Sequence, residues 1–580
     1  MSAGPIVAPR PAIDGADRTT DSPGDPTYTK RAGRQTRALS AGIFTIAFGI
    51  YALLPTRNFN YADDSLSWAY QLTQPSGLIN SHHLYLNGMR VLYRLLHDVG
   101  IAVNPVELLS LYSALWGAIG LAVLFCLLGR AGLGPQALWG TLFCAFSAGY
   151  WSYSIVGDVY VPAIALMVIG FFCTYCGLTA QNPRRSAHYA IGAIVAFTAM
   201  IFHHQAFAMV VVGLIPAALL MKHTGVRRRL AYAMVLPITV GLLTSAMYLL
   251  AYASLPAAQQ HGVVRFGAGY VESFDPRADQ KQLNLASAAN MAVGQTRALV
   301  STNVVFRSPA VAQAVAHRYP YRATYPFPYL VRNISPPAAI AIGVAAALAA
   351  LLTACLVVAG LWTGLRERGL ILLVFLPMIP QALFFGWWEG ISDEFALWTL
   401  PLLAVIVTRG AAQMTHPARW LGAAVTCLFV STLAGSTSVY WNANNDIDFV
   451  NDQYVQALTR NDVLIGFEDI QSDFRIKLEA QQRGFLYLNY FNVRDLEQNS
   501  AFDAALRHVI ASHANIYVSP RLSYPPQSAV VFKQSTEPHF ERGRSDLLTT
   551  LRRVDGVHWL KPTVFSPGYF HVDPGAAAPN

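Results

Sequence analysis

The apolar run LSAGIFTIAFGIYALL (Leu39–Leu54) stops just short of NYADDSLSWAYQ (Asn60–Gln71), and NSHHLYLNGMRVLYRLLHD (Asn80–Asp98) comes next. A long uncharged run of this kind is a membrane-helix candidate. The second stretch sets two adjacent carboxylates, Asp63 and Asp64, just beyond that helix. The third adds two adjacent histidines, His82 and His83, and then a basic stripe. Most of what remains in the first 440 residues is lipid-soluble. The opening stretch therefore reads as half of an active site at a membrane surface.

The composition supports a membrane setting. The 580 residues are 54% hydrophobic and only 13% charged, with a mean hydropathy of +0.35. A soluble chain carries about 25% charged residues. The charges lie between apolar runs of about 17–25 residues, the length that spans a bilayer. The chain reads as an α-helical polytopic membrane protein. Its net charge of +9 falls largely in short loops, where it sets orientation, so it does not point to nucleic acid. Cys126, Cys144, Cys173, Cys176, Cys355 and Cys427 all fall inside apolar runs, so neither disulfides nor a thiolate metal site is expected. Cys173 and Cys176 form a C-x-x-C inside a lipid-soluble helix, where a thiolate is costly.

Residues 1–37 are polar, rich in Pro, Gly, Asp, Thr and Arg, and read as a disordered cytoplasmic N-terminus. Eleven spans are expected: Leu39–Leu54, then about 107–129, 133–150, 160–180, 187–202, 206–221, 230–253, 338–362, 370–388, 396–413 and 420–440. With the N-terminus inside, the cytoplasmic loops and adjoining helix ends hold Arg130, Arg184, Arg185, Lys222, Arg227, Arg228, Arg229, Arg366, Arg368, Arg409 and Arg419. The external loops near 150–159, 203–205 and 388–395 hold no Lys or Arg. Every short loop then obeys the positive-inside rule. The expected location is the plasma (inner) membrane, with a multi-pass module over 38–441.

Three polar pieces fall on the outer side: the loops 56–105 and 254–337, and the tail 442–580. The tail alternates β-type runs (DVLIGF, GFLYLNYF, ANIYVSP, SAVVFKQ) with helix-like segments at Ser472–Gln482 and Ala501–Ser512. That pattern predicts a small extracytoplasmic α/β domain, and no G-x-G-x-x-G or P-loop assigns it a nucleotide. No internal repeat is evident, which disfavours inverted-repeat transporters.

Several residues could carry chemistry. Asp63 and Asp64 repel each other, so one pKa should rise unless a cation intervenes; the pair suits a general base or a divalent-metal ligand, or simply a helix N-cap. His82 and His83 point about 100° apart on a regular helix, so one at most lines a pocket. Leu84–Asp98 reads as an amphipathic helix, with Leu86, Met89, Leu92, Tyr93 and Leu96 opposite Asn87, Arg90, Arg94 and His97. Arg90 and Arg94 would touch lipid headgroups or hold a substrate phosphate. Asp158 lies in an external loop rimmed by Tyr150, Trp151, Tyr153 and Tyr160, and an acid there has a partner or a job. His203 and His204 mark one external turn; Glu389, Asp393 and Glu394 mark another. The basic loop 254–337 ends in YPYRATYPFPYLVRN, which fits either a glycolipid cover or an interfacial aromatic belt. Ionisable groups collect at the ends of spans rather than at midplane, which favours surface chemistry over ion-coupled transport.

ADDSLSWAYQ after the first helix, NSHHLYLNGM, and FSAGYWSYSIVGDVYVPAI with its acid–Val–Tyr ending together resemble the GT-C glycosyltransferase superfamily, and within it the bacterial relatives of protein O-mannosyltransferases. The resemblance covers about residues 40–440. It implies a hexosyl- or pentosyltransferase that moves a sugar from a polyprenyl-phosphate donor to an envelope glycan, glycolipid or protein acceptor on the outer face. Asp63 or Asp64 would be the base and Asp158 the supporting acid. The lipid phosphate would leave with help from a divalent metal (Mg2+ or Mn2+, on Asp63 and Asp64) or from basic side chains. His82, His83, Arg90, Arg94, His203, His204, Glu389 and Asp393 are the candidate substrate-binding residues. The motif Asp–Asp replaces the acid–x–acid or Asp–Glu of many relatives. The rival reading is a transporter or flippase of a lipid-linked sugar.

Overall fold

The computed structural model describes residues 26–59, 61–62, 64–75, 84–222, 224–255, 283–311, 327–466, 470–489, 506–509, 515–523, 538–554 and 556–560, with a few isolated positions between them such as Glu468. Asp63, His82 and His83 lie outside the described residues, and of Glu389 only the backbone is described.

Among the described residues, eight helices are long and apolar enough to cross a membrane, and two shorter apolar helices accompany them. In chain order the membrane module runs α1 (Pro26–Leu53), α2 (Asp64–Thr73), α3 (Tyr85–Asp98), α4 (Pro105–Arg130), α5 (Gln136–Ala145), α6 (Ala148–Ser154), α7 (Tyr160–Thr179), α8 (Pro183–His203) and α9 (Ala208–Leu220). It continues with α10 (Val226–Ala253), α11 (Leu285–Leu299), α12 (Pro336–Glu367), α13 (Leu370–Glu389), α14 (Thr399–Ala411) and α15 (Pro417–Thr432). A helix stands at each of the eleven expected spans.

Two expectations need correction. Helix α1 starts at Pro26, so residues 26–37 are helical rather than disordered; proline is preorganised for a first turn, and the Lys and Arg that follow are good helix formers. The expected span 133–150 is two helices. Ser147 takes an extended backbone between them while its hydroxyl donates to the Phe143 carbonyl at 2.8 Å. The result is α6, a seven-residue helix with every residue buried.

Helix starts follow their local chemistry. Asn104 and Asn182 each stand before a proline, and their side chains accept from Val106 N (2.9 Å) and Arg184 N (2.8 Å). Helices α12 and α14 cross closely because two glycines face each other's backbones. A Cβ on Gly360 would strike the Ile406 carbonyl, and one on Gly410 the Leu356 carbonyl.

The bundle has two unlike ends. At one, basic residues tie loops together: the Arg228 side chain donates to the Ala180 carbonyl, Arg409 pairs with Glu367, and the Lys222 backbone amide donates to the Arg368 carbonyl. The opposite end carries the acidic turns and the C-terminal domain.

That domain is α/β. A four-stranded parallel sheet is ordered β2–β1–β3–β4, with β1 Asp462–Gly466, β2 Leu486–Asn489, β3 Asn515–Val518 and β4 Val557–Trp559. Helix α16 (Ile447–Asn451) leads into it and α17 (Ile470–Arg483) links β1 to β2. Three of the four β-type runs named above hold strands. The fourth, SAVVFKQ, lies outside the described residues, and β4 comes instead from residues the sequence reading left unassigned. Of the helix expected at Ala501–Ser512, residues 506–509 are described and helical.

Gly360→Leu should lower the stability of the membrane module by about 1–3 kcal/mol, because overpacking at a backbone contact has no room to relax. Thermal melting of the purified protein checks this. The same substitution at Gly343, which has nothing near it on the same helix, should leave the melt unchanged.

Candidate functional site

Helix α2 begins at Asp64, which is exposed and places its carboxylate on the first turn, where the helix dipole favours an anion. The residues just before it are fixed by aromatic packing. Tyr61 stacks on Tyr440 at 3.9 Å between ring centres, and its hydroxyl donates to the Ser152 carbonyl at 3.0 Å. Tyr153 in turn donates to the Tyr61 carbonyl at 3.2 Å. The stretch carrying the acidic pair is thus clamped between α6 and the end of the last span.

Asp158 is buried at 2% exposure, so the expected solvent loop is in fact packed. Its Oδ1 accepts from Val159 N at 2.5 Å, and its backbone carbonyl accepts from Ser113 Oγ at 3.1 Å. The Tyr61 phenol is held well above its usual range, first by burial, then by Tyr440 and by the carboxylates of Asp158 and Asp393. Tyr153 is likewise raised, by burial first and then by Asp393, Glu394 and Asp158, with Arg297 opposing. Both phenols therefore stay protonated at neutral pH and act as hydrogen-bond donors. Both also report that Asp158 and Asp393 share one neighbourhood, which Glu394 joins beside Tyr153.

Asp393 is held by Arg297 of α11, at 2.9 Å between Oδ1 and Nη2, and Arg297 also donates to the Ile391 carbonyl at 3.0 Å. The chains approach closely enough here that a Cβ on Gly294 would strike the Gly390 carbonyl. Arg297 and Asp393 line a narrow cleft, with room for about one water, together with Ser152, Ser301, Asn303 and Tyr440. Asn303 donates to the Tyr440 hydroxyl at 2.8 Å. The Ser301 hydroxyl is buried without a hydrogen-bond partner among the described residues.

The remaining candidates have structural partners. His203 Nδ1 is 2.8 Å from the Ala199 carbonyl and Nε2 is 2.8 Å from the Tyr112 hydroxyl. A carbonyl only accepts, so the proton sits on Nδ1 and the neutral ring accepts from Tyr112. The ring also stacks on Tyr85 at 4.3 Å. His204 caps the next turn by accepting from Ala206 N at 3.2 Å. Arg90 donates to the Gln71 carbonyl from Nε and Nη2 (3.2 and 3.1 Å), and Arg94 donates to the Gln74 and Pro75 carbonyls, each at 2.7 Å. The basic stripe of α3 therefore seats the C-terminal end of α2. Leu86 and Met89 of the expected apolar face are buried, as is Arg90 of the expected polar stripe, whereas Leu92 is exposed together with Val91 and Leu95.

No cluster of three or more metal-ligating side chains occurs among the described residues, and Asp63 is not one of them.

No family model matches the chain. No curated relative matches it either. Among solved structures it is similar to ArnT from Cupriavidus metallidurans bound to undecaprenyl phosphate, at 10% identity and a TM-score of 0.46, over 81% of this chain and 88% of that one. It is also similar to the archaeal oligosaccharyltransferase AglB from Archaeoglobus fulgidus, in complex with an inhibitory peptide and a dolichol-phosphate, at 10% identity and a TM-score of 0.42, over 82% of this chain and 68% of that one. Likeness at this level is too coarse to carry over a residue or a ligand.

Sequence reasoning did not single out Tyr61, Asn303, Ser301 or Tyr440, and it covered Arg297 only as part of the basic loop 254–337. It also missed the ion network that joins this site to the C-terminal domain. Arg475 pairs with Asp446 (Nη2–Oδ2 2.7 Å) and reaches Asp452 at 3.9 Å. Arg521 pairs with Asp448 at 2.7 Å, Asp452 at 3.4 Å and Glu468 at 3.1 Å. The four carboxylates are buried, and two guanidiniums serve them. Burial pushes Asp452 and Glu468 up, opposed by Arg521, so this acid excess is relieved by a retained proton.

Two outcomes follow from this geometry. Arg297→Ala should cost about 1–3 kcal/mol in a thermal melt, since it leaves Asp393 and the Ile391 carbonyl unserved together; Arg297→Lys should recover only part, lacking the forked donor. Asp452 has a folded pKa above its unfolded one, so its contribution is present at low pH and is lost as pH rises from about 4 through neutrality. Asp452→Asn should therefore flatten the fall in melting temperature over that range.

Proposed function

We propose that this chain is a polyprenyl-phosphate-dependent glycosyltransferase, working at the outer face of the membrane with the basic loops in the cytoplasm. The observation that carries the reading is the convergence, around Tyr61 and Tyr153, of the stretch bearing the acidic pair with Asp158 and the Arg297–Asp393 pair. Supporting it is the resemblance of ADDSLSWAYQ and its companion motifs to the GT-C enzymes.

In this reading Asp63 or Asp64 takes the proton of an acceptor hydroxyl. The freed oxygen forms a bond to the anomeric carbon of the donor sugar, and the bond from that carbon to the lipid phosphate breaks. The phosphate departs on its polyprenyl chain with the bonding electrons. No step is routed through a metal. Asp158, fixed by Val159 N and carrying the Ser113 hydroxyl on its carbonyl, is the supporting acid and orients the acceptor.

In this reading the sugar sits at the mouth of the narrow cleft, against its polar rim. Arg297 is neutralised by Asp393, so it offers donors without a net positive charge, and the hydroxyls of Ser152, Ser301 and Tyr440 add both donors and acceptors. Such a lining fits a neutral polyhydroxyl ring, a hexosyl or pentosyl unit, better than a phosphate. The phosphate belongs nearer Arg94, which is exposed, and the outward Val91, Leu92 and Leu95 suit the polyprenyl tail. His82, His83, His204 and Glu389 remain candidates for the rim. The acceptor is a glycan, glycolipid or protein hydroxyl of the cell envelope.

Membranes bearing the protein should transfer a radiolabelled sugar from at least one of a panel of polyprenyl-phosphate sugars, assayed with and without chelator. Asp63→Asn and Asp64→Asn, made separately, should abolish transfer in at least one case while membrane insertion survives. Full activity in both, or movement of the lipid-linked sugar across the bilayer with no transfer, would overturn the reading.

A further inference from the structure

In an open parallel sheet, ligands settle beyond the carboxyl ends of the strands, where the strand order reverses. Here the reversal lies between β1 and β3, and the residues beyond it are Glu468, Ser519 and Arg521. The crevice is occupied by the chain itself. Segment 446–454 enters it and delivers Asp448 and Asp452 to Arg521, while the Tyr454 hydroxyl lies 3.1 Å from both Glu468 Oε1 and Ser519 Oγ, able to donate to one and accept from the other.

The same segment grips the opening loop of the membrane module. Asp446 is fully buried and faces three partners, one of them Phe449 N, which donates to its Oδ1 at 2.8 Å and makes it the N-cap of α16. Arg475 holds it with both terminal nitrogens, and Phe59 N donates to its Oδ2 at 2.9 Å. Beside that contact, Arg57 N donates to the Tyr440 carbonyl at 3.0 Å. Farther along, α17 meets α2. Tyr70 packs on Phe474 at 5.7 Å, Lys477 Nζ sits 5.4 Å from the Tyr70 ring centre, and Thr73 donates to Gln481 at 2.9 Å. The acidic pair thus lies in a short segment fastened to the C-terminal domain on both sides, at Phe59 and at Tyr70–Thr73.

We propose that Asp446 is a positioning residue, and that the C-terminal domain uses its sheet crevice to set the place of the Asp63–Asp64 segment. The proposal rests on the reading of that pair as the base. The crevice has been turned inward, so that the site where a ligand would otherwise bind serves as the anchor of a loop in another domain. Asp446 touches no substrate; it acts through the Phe59 amide.

Asp446→Ala removes the ion pair, the Phe59 contact and the N-cap of α16 together. Asp446→Asn keeps an oxygen for the Phe59 amide and loses the ion pair. Asp462→Ala is the control for general weakening of the domain. Asp462 lies at the opposite edge of β1, where it accepts from Thr459 N at 2.6 Å and from Asn515 at 3.1 Å, far along the chain from the loop. With the full-length protein in nanodiscs, Asp446→Ala should lower kcat by about a hundredfold, the scale of a misplaced catalytic group, with KM little changed. Asp446→Asn should recover part of that loss. Asp462→Ala should lower the melting temperature and leave kcat near its starting value. Hydrogen exchange across residues 56–64 should speed up in Asp446→Ala and not in Asp462→Ala.

Equal kcat losses in Asp446→Ala and Asp462→Ala at equal loss of stability, or unmoved exchange across 56–64, would overturn the proposal. The exchange measurement needs no turnover. If the wild-type protein transfers no sugar, the enzymatic reading falls, and faster exchange in Asp446→Ala still establishes that the domain holds this segment.

Discussion

A carboxylate with no solvent exposure must be paired, and Asp446 is paired from two directions. Arg475 neutralises it, and the Phe59 and Phe449 amides complete its hydrogen bonding. Breaking a buried pair of this kind by removing one partner is far more costly than never having built it, because the remaining charge stays buried. The opening loop and the C-terminal domain are therefore coupled in energy as well as in contact. Around this point the rest of the site is arranged. Arg57 and Thr56 bind the Tyr440 and Ile155 carbonyls through their amides, and Tyr61 lies flat on Tyr440.

The membrane module solves a different problem. Its helices cannot use hydrophobic burial to choose neighbours, since lipid is as apolar as they are, so close backbone contact and polar fixings choose for them. The Gly360–Gly410 crossing is one such contact, and the Gly294–Gly390 approach is another. The second brings α11 onto the turn that carries Asp393, and Arg297 closes the junction. Short helix α6 is the hub, because its residues reach Tyr61 and Ala298 at once, and Phe146 just before it accepts from Thr432 at the end of the last span.

What was legible in the sequence follows from what each signal measures. Apolar run length reports on bilayer thickness, so the spans could be placed to within a few residues. The start of α1 could not, because a charged helix turn looks like a disordered tail when only polarity is weighed. Asp158 was visible as an acid between aromatics, but its burial was not, since burial depends on α4 and α7 closing over it. Tyr440 and Asn303 were invisible for a related reason. Each is an ordinary residue on its own helix, and only their meeting across 137 positions makes a site. The sheet was readable from its β-branched and aromatic runs, whereas β4, three residues long and half polar, carried too little pattern to be seen.

The Arg521 network shows why the C-terminal domain carried no motif. Motifs are legible when one short segment supplies the whole site. Here Arg521 follows β3, Glu468 follows β1, and Asp448 and Asp452 precede the sheet altogether. Four acids served by two arginines also cannot all ionise in a dry crevice, so the network keeps a proton that a solvated cluster would give up. Such a junction holds its geometry only while both domains are in place. A domain that merely decorated the membrane module would have no reason to bury charge at the seam, where every unpaired group costs stability. The seam lies on the loop that leads to the acidic pair, so the cost of separating the domains falls on the residues proposed to do the chemistry.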